Sequence, residues 1–477
     1  MDHLRYKIIV EGIVQGVGFR PFTYQLAERF GLAGSVCNDT RGVTIEVEGA
    51  AELLQQFVAA IDDLKPPLAV IQSVDIQTIP VQGCTGFTIL QSAVDQTRRA
   101  QIAPDAFVCD DCLAELFDPD DRRYHYPFIN CTNCGPRFTI VSGIPYDRPL
   151  TTMADFPLCI ECQAEYDDPI SRRFHAQPNA CCACGPQLQL VAPDGSALDC
   201  VDPVAESIRR LREGQIIAIK GLGGYHLAVD ASSQAAVAEL RQRKQRDEKP
   251  FALMAKNLEA VTELAVVGSD EARLLQGIER PIVLLGKRPG HGLAENISPG
   301  NRYFGVMLPY TPLHHLLLQD FKALVMTSAN LSDEPIAFED DDARQRLATI
   351  ADAFLGHNRR IQTRTDDSIA RVMAGRPLLL RRSRGFVPRG VALPGESCPV
   401  LAVGAELKNT ICLIRGDRAF LSQHIGDLKN LEVYDSFRNT ISHMRRLLEV
   451  EPYRVAHSRC PASSRASGQL PGRARYS

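Results

Sequence analysis

Eight of the chain's fifteen cysteines stand as Cys-x2-Cys pairs, in two copies offset by fifty residues. Cys109/Cys112 and Cys131/Cys134 make the first copy, Cys159/Cys162 and Cys181/Cys184 the second, and eighteen residues separate the pairs within each. The text between them aligns without a gap, CDDCLAELFDPDDRRYHYPFINCTNCGPRFTI on CIECQAEYDDPISRRFHAQPNACCACGPQLQL. Thiolates on a tight turn can grip one side of a tetrahedral zinc, and a second such pair closes it. The spacing predicts two structural zinc sites, closed within each copy or by exchange between them. Cys182, beside Cys181, breaks the pattern and reads as a free thiol.

Two other features repeat. His125 and His175 are equivalent, and because four thiolates already fill a site they read as packing or substrate-channel residues. Arg122/Arg123 and Arg172/Arg173 are basic pairs of the kind that nucleic-acid-binding zinc modules use. The acidic segments DPDD and DDP beside them cancel that charge, which favours a scaffold role.

At 477 residues the chain is too long for one core, and its net charge of −4 gives no general pull toward nucleic acid or membranes. No apolar run reaches the length of a membrane span, and MDHLRYKIIVEG moves straight into a strand rather than a signal peptide. Paired cysteines in a long chain without an export signal predict a reduced, cytoplasmic metal protein.

Periodicity divides the chain further. Residues 5–91 read β-α-β-β-α-β: a strand at Tyr6–Val14, a helix at Arg20–Phe30, and two strands flanking Asn38. A second helix carries Leu53, Leu54, Phe57, Val58, Ile61 and Leu64, with strands near 68–79 and 86–91. This is the ferredoxin-like order. A polar linker is expected near 92–103. After the cysteine repeats, helices at Val204–Glu213 and Ala235–Gln245 alternate with strands at Gln215–Ile219, 251–255, 281–286 and 323–327. LPGESCPVLAVGAELKNTICLIRG opens a further domain with a strand, a turn and a returning strand, and the last twenty residues read as a disordered tail or a damaged terminus. The expected segments are 1–92, 93–198, 199–390 and 391–477.

Two stretches carry chemistry. In VEGIVQGVGFRPF, Gln15, Gly16, Val17, Gly18, Phe19 and Arg20 form a glycine-rich turn running into a helix. Inward-pointing amides, a helix N-terminus and a guanidinium make a cradle for a phosphate-sized anion. Asn38 on the next strand can hold a water, and no nucleophilic side chain lies in the loop, so water attack is implied. The sequence resembles acylphosphatase here. The resemblance implies Arg20 as the phosphate-binding catalytic residue and Asn38 as the water-orienting one.

Farther on, Lys220 follows a buried strand before a glycine turn, and Lys244, Arg246 and Lys249 precede another strand. Thr327, Ser328 and Asn330 lie in MTSANLSDEP, and Arg381, Arg382 and Arg384 in LLLRRSRGFVP. Cations and hydroxyls converging at strand ends suit a nucleotide triphosphate. K-x-R…K-P, S-A-N and the R-x-S-R-G-F-V-P ending resemble the YrdC-like fold, which implies binding of ATP with Mg²⁺ and formation of a carbamoyl-type adenylate. The opening GLGGYHLAVDA departs from the threonine-binding segment of the tRNA-modifying branch, against threonylcarbamoyl chemistry.

Taken in order, these parts resemble the HypF family of hydrogenase-maturation carbamoyltransferases. The resemblance implies an α+β multidomain fold: a ferredoxin-like acylphosphatase domain, two four-cysteine zinc-finger repeats, a YrdC-like α/β domain and the start of an actin-like (ASKHA) transferase domain. It implies hydrolysis of carbamoyl phosphate, activation of carbamate with ATP, and transfer to the C-terminal cysteine of HypE, with no nucleic-acid or membrane partner. AVGAELKNTICL and LSQHIGDL resemble the opening of the transferase domain, and SRCPASS after His457 departs from the family, so truncation or a frame shift is expected and transfer is in doubt. The rival expectations are a zinc-dependent nucleic-acid or protein-binding scaffold and a carbamoyltransferase acting on a small molecule.

Overall fold

Alternating apolar residues bury Ile8 and Val10 on one side of β1 (His3–Ile13), and its neighbours complete a five-stranded sheet. The computed structural model describes residues 3–39, 41–90, 101–331, 334–429 and 431–457. It divides into two compact units, the first Met1–Leu331 with Ile336–Arg389, the second Ser332–Pro335 with Gly390–Ser477. In the first unit, β1 leads into α1 (Phe19–Arg29), β2 (Ala33–Asn38), β3 (Gly42–Ala50), α2 (Ala51–Asp63), β4 (Val70–Ile79) and β5 (Phe87–Ile89). The sheet order is β4-β1-β3-β2-β5, antiparallel except where β5 joins β2. α1 and α2 bury Phe19, Leu26, Leu54, Phe57 and Ile61 against it. Leu64, expected on the buried stripe of α2, is instead its C-cap and 51% exposed, because Lys65-Pro66-Pro67 follows and residues before proline leave the helical region.

The linker expected at 92–103 falls partly outside the described residues. Its last three, Gln101–Ala103, are buried, and Ile102 bridges to Gln15. The cysteine repeats contribute two eight-residue helices, α3 (Asp110–Phe117) and α4 (Ile160–Asp167), N-capped by Cys109 and Cys159. An eleven-stranded mixed sheet follows. Ile217–Lys220, Tyr225–Asp230, Ala323–Ser328 and Ala252–Ala255 lie at its centre, with apolar residues on both faces. Such strands read as unbroken hydrophobic runs because neither face meets water. Leu188–Val191, in sequence directly after the second repeat, pairs with Ala353–His357 at one edge of this sheet.

The second unit has strands Val391–Val403 and Ile411–Leu421 paired antiparallel, with Arg454–Ala456 parallel to the first. The helix Leu431–Leu448 buries Val433, Phe437, Met444 and Leu447. The expected tail, residues 458–477, lies outside the described residues. Among the described residues no helix is long and apolar enough to cross a membrane.

Four histidines of the first unit are held neutral by burial. Burial, then Arg20, brings His175 to about 4, and burial, then Arg280, does the same to His315. His314 and His357 fall well below the ordinary imidazole range for the same first reason. An unfolded imidazole titrates at about 6.5, so below that pH the unfolded chain takes up protons that the folded chain refuses. The stability is full above about 6.5 and is lost as pH falls below it, for His175 and His315 toward about 4. The melting temperature, measured with saturating zinc, should be level above pH 7.5 and drop between pH 6.5 and 5 by several degrees, roughly 1 kcal/mol or more per group. A His315→Phe variant should drop less.

Candidate functional site

β1 ends at Ile13, and the chain turns through Gln15–Gly18 into α1. Buried Gln15 braces the turn by donating to Asp39 O at 2.6 Å and Gly42 O at 2.8 Å. Gly16 and Gly18 adopt φ of 70° and 76°, where a side chain is strained. A second constraint acts on them. A Cβ on Gly16 would lie 2.9 Å from the Tyr146 ring, and one on Gly18 2.9 Å from Thr132 Cβ. The first-turn amides of α1 have no intrahelical acceptor, which suits an anion. Arg20 reaches Asp147 at 3.2 Å, and Asn38, with its amide oxygen toward Arg20, accepts from Nε at 3.2 Å and Nη2 at 3.3 Å. Both residues are buried.

The anion loop lies against the cysteine module. A small pocket is lined by Gly16, Gly18, Arg20 and Asn38 and walled by the cysteine module. That wall includes Thr132, Arg137, Tyr146, His175, Gln177 and Pro178. Arg137 ties the two sides together: its Nε donates to Gly16 O, Nη1 to Cys134 O at 2.9 Å and Nη2 to Thr132 O at 2.8 Å.

The cysteines gather as Cys109, Cys112, Cys131 and Cys134 in one cluster and Cys159, Cys162, Cys181 and Cys184 in another. Of the two closures that the spacing allowed, the chain adopts pairing within each copy. Sulfur separations of 3.6 Å (Cys109–Cys131), 3.9 Å (Cys131–Cys134), 3.7 Å (Cys159–Cys181) and 3.8 Å (Cys181–Cys184) exclude disulfides among them. They match the edge of a tetrahedron with metal–sulfur bonds of about 2.3 Å, which is about 3.8 Å. Cys182 is exposed and belongs to neither cluster.

The arginine pairs cross over. Arg122 Nη2 donates to Cys162 Sγ at 2.8 Å and Glu165 Oε2 at 3.0 Å, and Arg123 Nη1 to Glu165 Oε1 at 2.8 Å. Reciprocally, Arg172 Nη1 meets Cys112 Sγ at 3.7 Å, and Arg172 and Arg173 both pair with Glu115. Arg123 Nε donates to Ala180 O, and its counterpart Arg173 Nε to Asn130 O, fifty positions earlier. Each contact thus has a mate under exchange of the copies, as across a two-fold axis. Burial opposes the Glu165 carboxylate, yet Arg123, Arg122 and Arg173 bring it down to about 2. These arginines and their mates Glu115 and Glu165 are the residues that local charge counting missed. The signal was the repeat itself, which carries both.

The second group converges at one end of the large sheet. Lys244 Nζ donates to Ser328 O at 2.9 Å and Asn330 Oδ1 at 3.0 Å, and Ser328 Oγ to Asn330 Oδ1 at 2.8 Å. Arg246 Nη1 reaches Thr327 Oγ1 at 3.3 Å, and burial, then Arg241 and Arg381, lowers it to about 10. Lys249 is exposed beside this group, its carbonyl accepting from Arg246 Nε. Lys220 pairs with Asp340 at 2.6 Å and donates to His357 O at 2.9 Å. The glycine turn after it is obligatory: a Cβ on Gly223 would lie 2.0 Å from Thr365 Oγ1. Arg382 Nη2 donates to Phe386 O at 2.9 Å. Arg384 sits apart from the Lys244 group. It is 2% exposed, pairs with Asp367 at 2.8 Å and lies 3.4 Å over the Tyr310 ring.

An anion loop under a tandem cysteine module, followed by a sheet with cations at its strand ends, defines a multidomain protein of mixed α/β architecture. Family models match all four parts: "Acylphosphatase" over 6–89, "HypF finger" over 108–141 and 158–191, "Telomere recombination" (Sua5/YciO/YrdC) over 209–383, and "HypF Kae1-like domain" over 395–467. The chain belongs to the HypF family. It is 50% identical to carbamoyltransferase HypF2 of Cupriavidus necator over 480 residues, 96% of this chain and 59% of that protein. To carbamoyltransferase HypF of Synechocystis sp. it is 48% identical over 451 residues, covering 94% and 59%. The crystal structure of a full-length HypF in its phosphate- and nucleotide-bound form superposes with a TM-score of 0.94 at 44% identity, covering 98% of this chain and 62% of that one. The chain thus spans about three fifths of the length of these relatives.

Proposed function

We propose that this chain hydrolyses carbamoyl phosphate in the Arg20 pocket and activates the carbamate with Mg²⁺-bound ATP at the Lys244 group, for transfer to the C-terminal cysteine of HypE in hydrogenase maturation. We assign the acylphosphatase-like, zinc-finger, YrdC-like and transferase segments to 1–92, 93–198, 199–390 and 391–477. The pairing of Arg20 with Asn38 in a pocket closed by the cysteine module carries the reading. Free carbamate decomposes in water, so a walled site on the same unit as a nucleotide site suits a chain that makes and uses it.

In the first step the phosphoryl group sits on the Gln15–Arg20 loop and Arg20 offsets its charge. Asn38 orients a water toward phosphorus; the P–O bond to the carbamoyl group breaks, its electron pair leaves on carbamate, and both water protons stay with phosphate. In the second, a carbamate oxygen attacks the α-phosphorus of ATP and pyrophosphate leaves. Lys244, Arg246, Lys249, Thr327, Ser328 and Asn330 are proposed to hold the nucleotide and its charge, with Lys220 and Arg382 at the rim. Arg384 serves through its ion pair with Asp367. Zinc is the proposed metal of both cysteine clusters and has a structural role, holding the wall of the first site.

Pyrophosphate exchange into ATP that depends on carbamoyl phosphate tests this directly. The zinc-loaded parent should exchange, and Lys244→Ala should lose roughly 100-fold or more, since Lys244 carries charge to the triphosphate and orders Asn330. No exchange from folded parent would sink the reading. The scaffold alternative loses its basic surface, because Arg122, Arg123, Arg172 and Arg173 are engaged with Glu115 and Glu165.

A further inference from the structure

The second cysteine repeat places in the Arg20 pocket a residue that the steps above leave unused. His125 and His175 are equivalent, and both hold a left-handed backbone, with φ of 55° and 53°. Each backbone N–H closes the same turn, His125 onto Leu116 O at 2.9 Å and His175 onto Tyr166 O at 3.0 Å. Their side chains then part company. His125 stacks on Tyr124 with 3.9 Å between ring centroids and takes no part in the pocket. His175, wedged against Phe174 and Tyr166 at 4.7 and 5.0 Å, lines the pocket with Arg20 and Asn38.

A positive φ on a side chain with a Cβ costs energy and persists where the surroundings over-determine it. Here the duplication supplies the same backbone twice, and one copy directs it to the site. Among the described residues neither ring nitrogen of His175 has a hydrogen-bond partner. The ring is neutral at physiological pH, so it keeps one N–H donor and one lone pair. A half-buried polar ring on the wall of the Arg20 pocket, with no protein partner for its nitrogens, is placed to meet a ligand there.

We propose that His175 recognises the carbamoyl end of the substrate, accepting from its NH2 group, while Arg20 and the glycine loop hold the phosphoryl end. This rests on the carbamoyl-phosphate reading above. With phosphate on the loop, the acyl group is left to the opposite wall, where Thr132, Tyr146, Gln177 and Pro178 are its other neighbours. Gln177 is already engaged, its Nε2 with Tyr166 Oη and His175 O and its Oε1 with Arg148 N. Carbamoyl and acetyl phosphate have nearly the same size and differ in NH2 against CH3, so a lone pair at this position separates them where shape cannot.

The test compares kcat/KM for carbamoyl and acetyl phosphate in the zinc-loaded chain. The parent should prefer carbamoyl phosphate. His175→Phe, which keeps the volume and loses the lone pair, should cut the preference by about tenfold or more, almost entirely through the carbamoyl term. His175→Asn, whose amide oxygen can accept, should retain part of it, and His125→Phe should leave it unchanged. If His175→Phe does not fold, as judged by melting and zinc content, His175→Ala carries the same comparison. An unchanged ratio in a folded variant without the lone pair, or a parent without preference, overturns the proposal and leaves the hydrolytic reading intact. A parent that hydrolyses neither compound overturns that reading as well.

Discussion

Arg20→Ala should hydrolyse carbamoyl phosphate about a thousandfold more slowly than the parent, as expected for removing a charged group that stabilises the transferring phosphoryl oxygens. The side chain is buried between Asn38 and Asp147, so on the reading proposed above its loss removes the anion's main counter-charge and also frees the Asn38 amide assigned to orient water. Asp147 is 29% exposed and can hydrate once its partner is gone, so the fold should survive and the melting temperature should move by only about 1 kcal/mol equivalent. Arg20→Lys keeps the charge without the planar fork and should recover part of the rate. The informative measurement is pyrophosphate exchange. With carbamoyl phosphate, Arg20→Ala should fail; with concentrated ammonium bicarbonate, which contains carbamate, it should exchange as the parent does. Failure with both would place Arg20 in the fold rather than in the first step, and parental hydrolysis by Arg20→Ala would remove it from the chemistry.

What the sequence disclosed and what it withheld divide by the range of the interactions. The order β1-α1-β2-β3-α2 could be read because period-two and period-3.6 patterns are local. The cysteine clusters could be read because ligand spacing on a tight turn is local too. The wall of the Arg20 pocket could not: Arg137 meets Gly16 across 121 positions and Asp147 meets Arg20 across 127. Nothing in VEGIVQGVGFRPF states that Gly16 and Gly18 must also make room for Tyr146 and Thr132. Arg384 illustrates the converse. Beside Arg381 and Arg382 it reads as a cation at a strand exit, and its commitment to Asp367 and Tyr310 depends on a partner seventeen residues back and a ring from another element. The arginine pairs mislead for a third reason. Neighbouring aspartates suggest local neutralisation, whereas the compensating glutamates sit in the other repeat, at register-equivalent positions that only the folded pair brings together.

That exchange of partners predicts the behaviour of the metal sites. A four-thiolate zinc carries a net charge of −2, and here each cluster has an arginine of the other repeat against one of its sulfurs, Arg122 on Cys162 and Arg172 on Cys112. Arg123, 1% exposed, also pairs with Glu165, so removing it leaves that part-buried carboxylate and the metal dianion to share the half-buried Arg122 as their main close cation. Arg123→Ala, a change in the first repeat, should therefore loosen zinc at Cys159/Cys162/Cys181/Cys184, and Arg173→Ala should loosen the site at Cys109/Cys112/Cys131/Cys134. Breaking such a buried pair costs about 3–5 kcal/mol, enough to speed zinc release to a chelator by roughly 100-fold at the affected site if it is felt at the metal. Alkylation of released thiols, mapped by mass spectrometry, identifies which cluster opened first. The parent should hold two zinc ions, and complete stripping should unfold the module, since binding energy is folding energy in small metal domains. Because Thr132 and His175 ride on that module, carbamoyl-phosphate hydrolysis should fall with it. Arg123→Ala together with Glu165→Ala should be less damaging than Arg123→Ala alone, because the stranded carboxylate is gone. Zinc loss confined to the repeat that carries the substitution would show that each copy is self-contained and that the crossed contacts do not stabilise the metal.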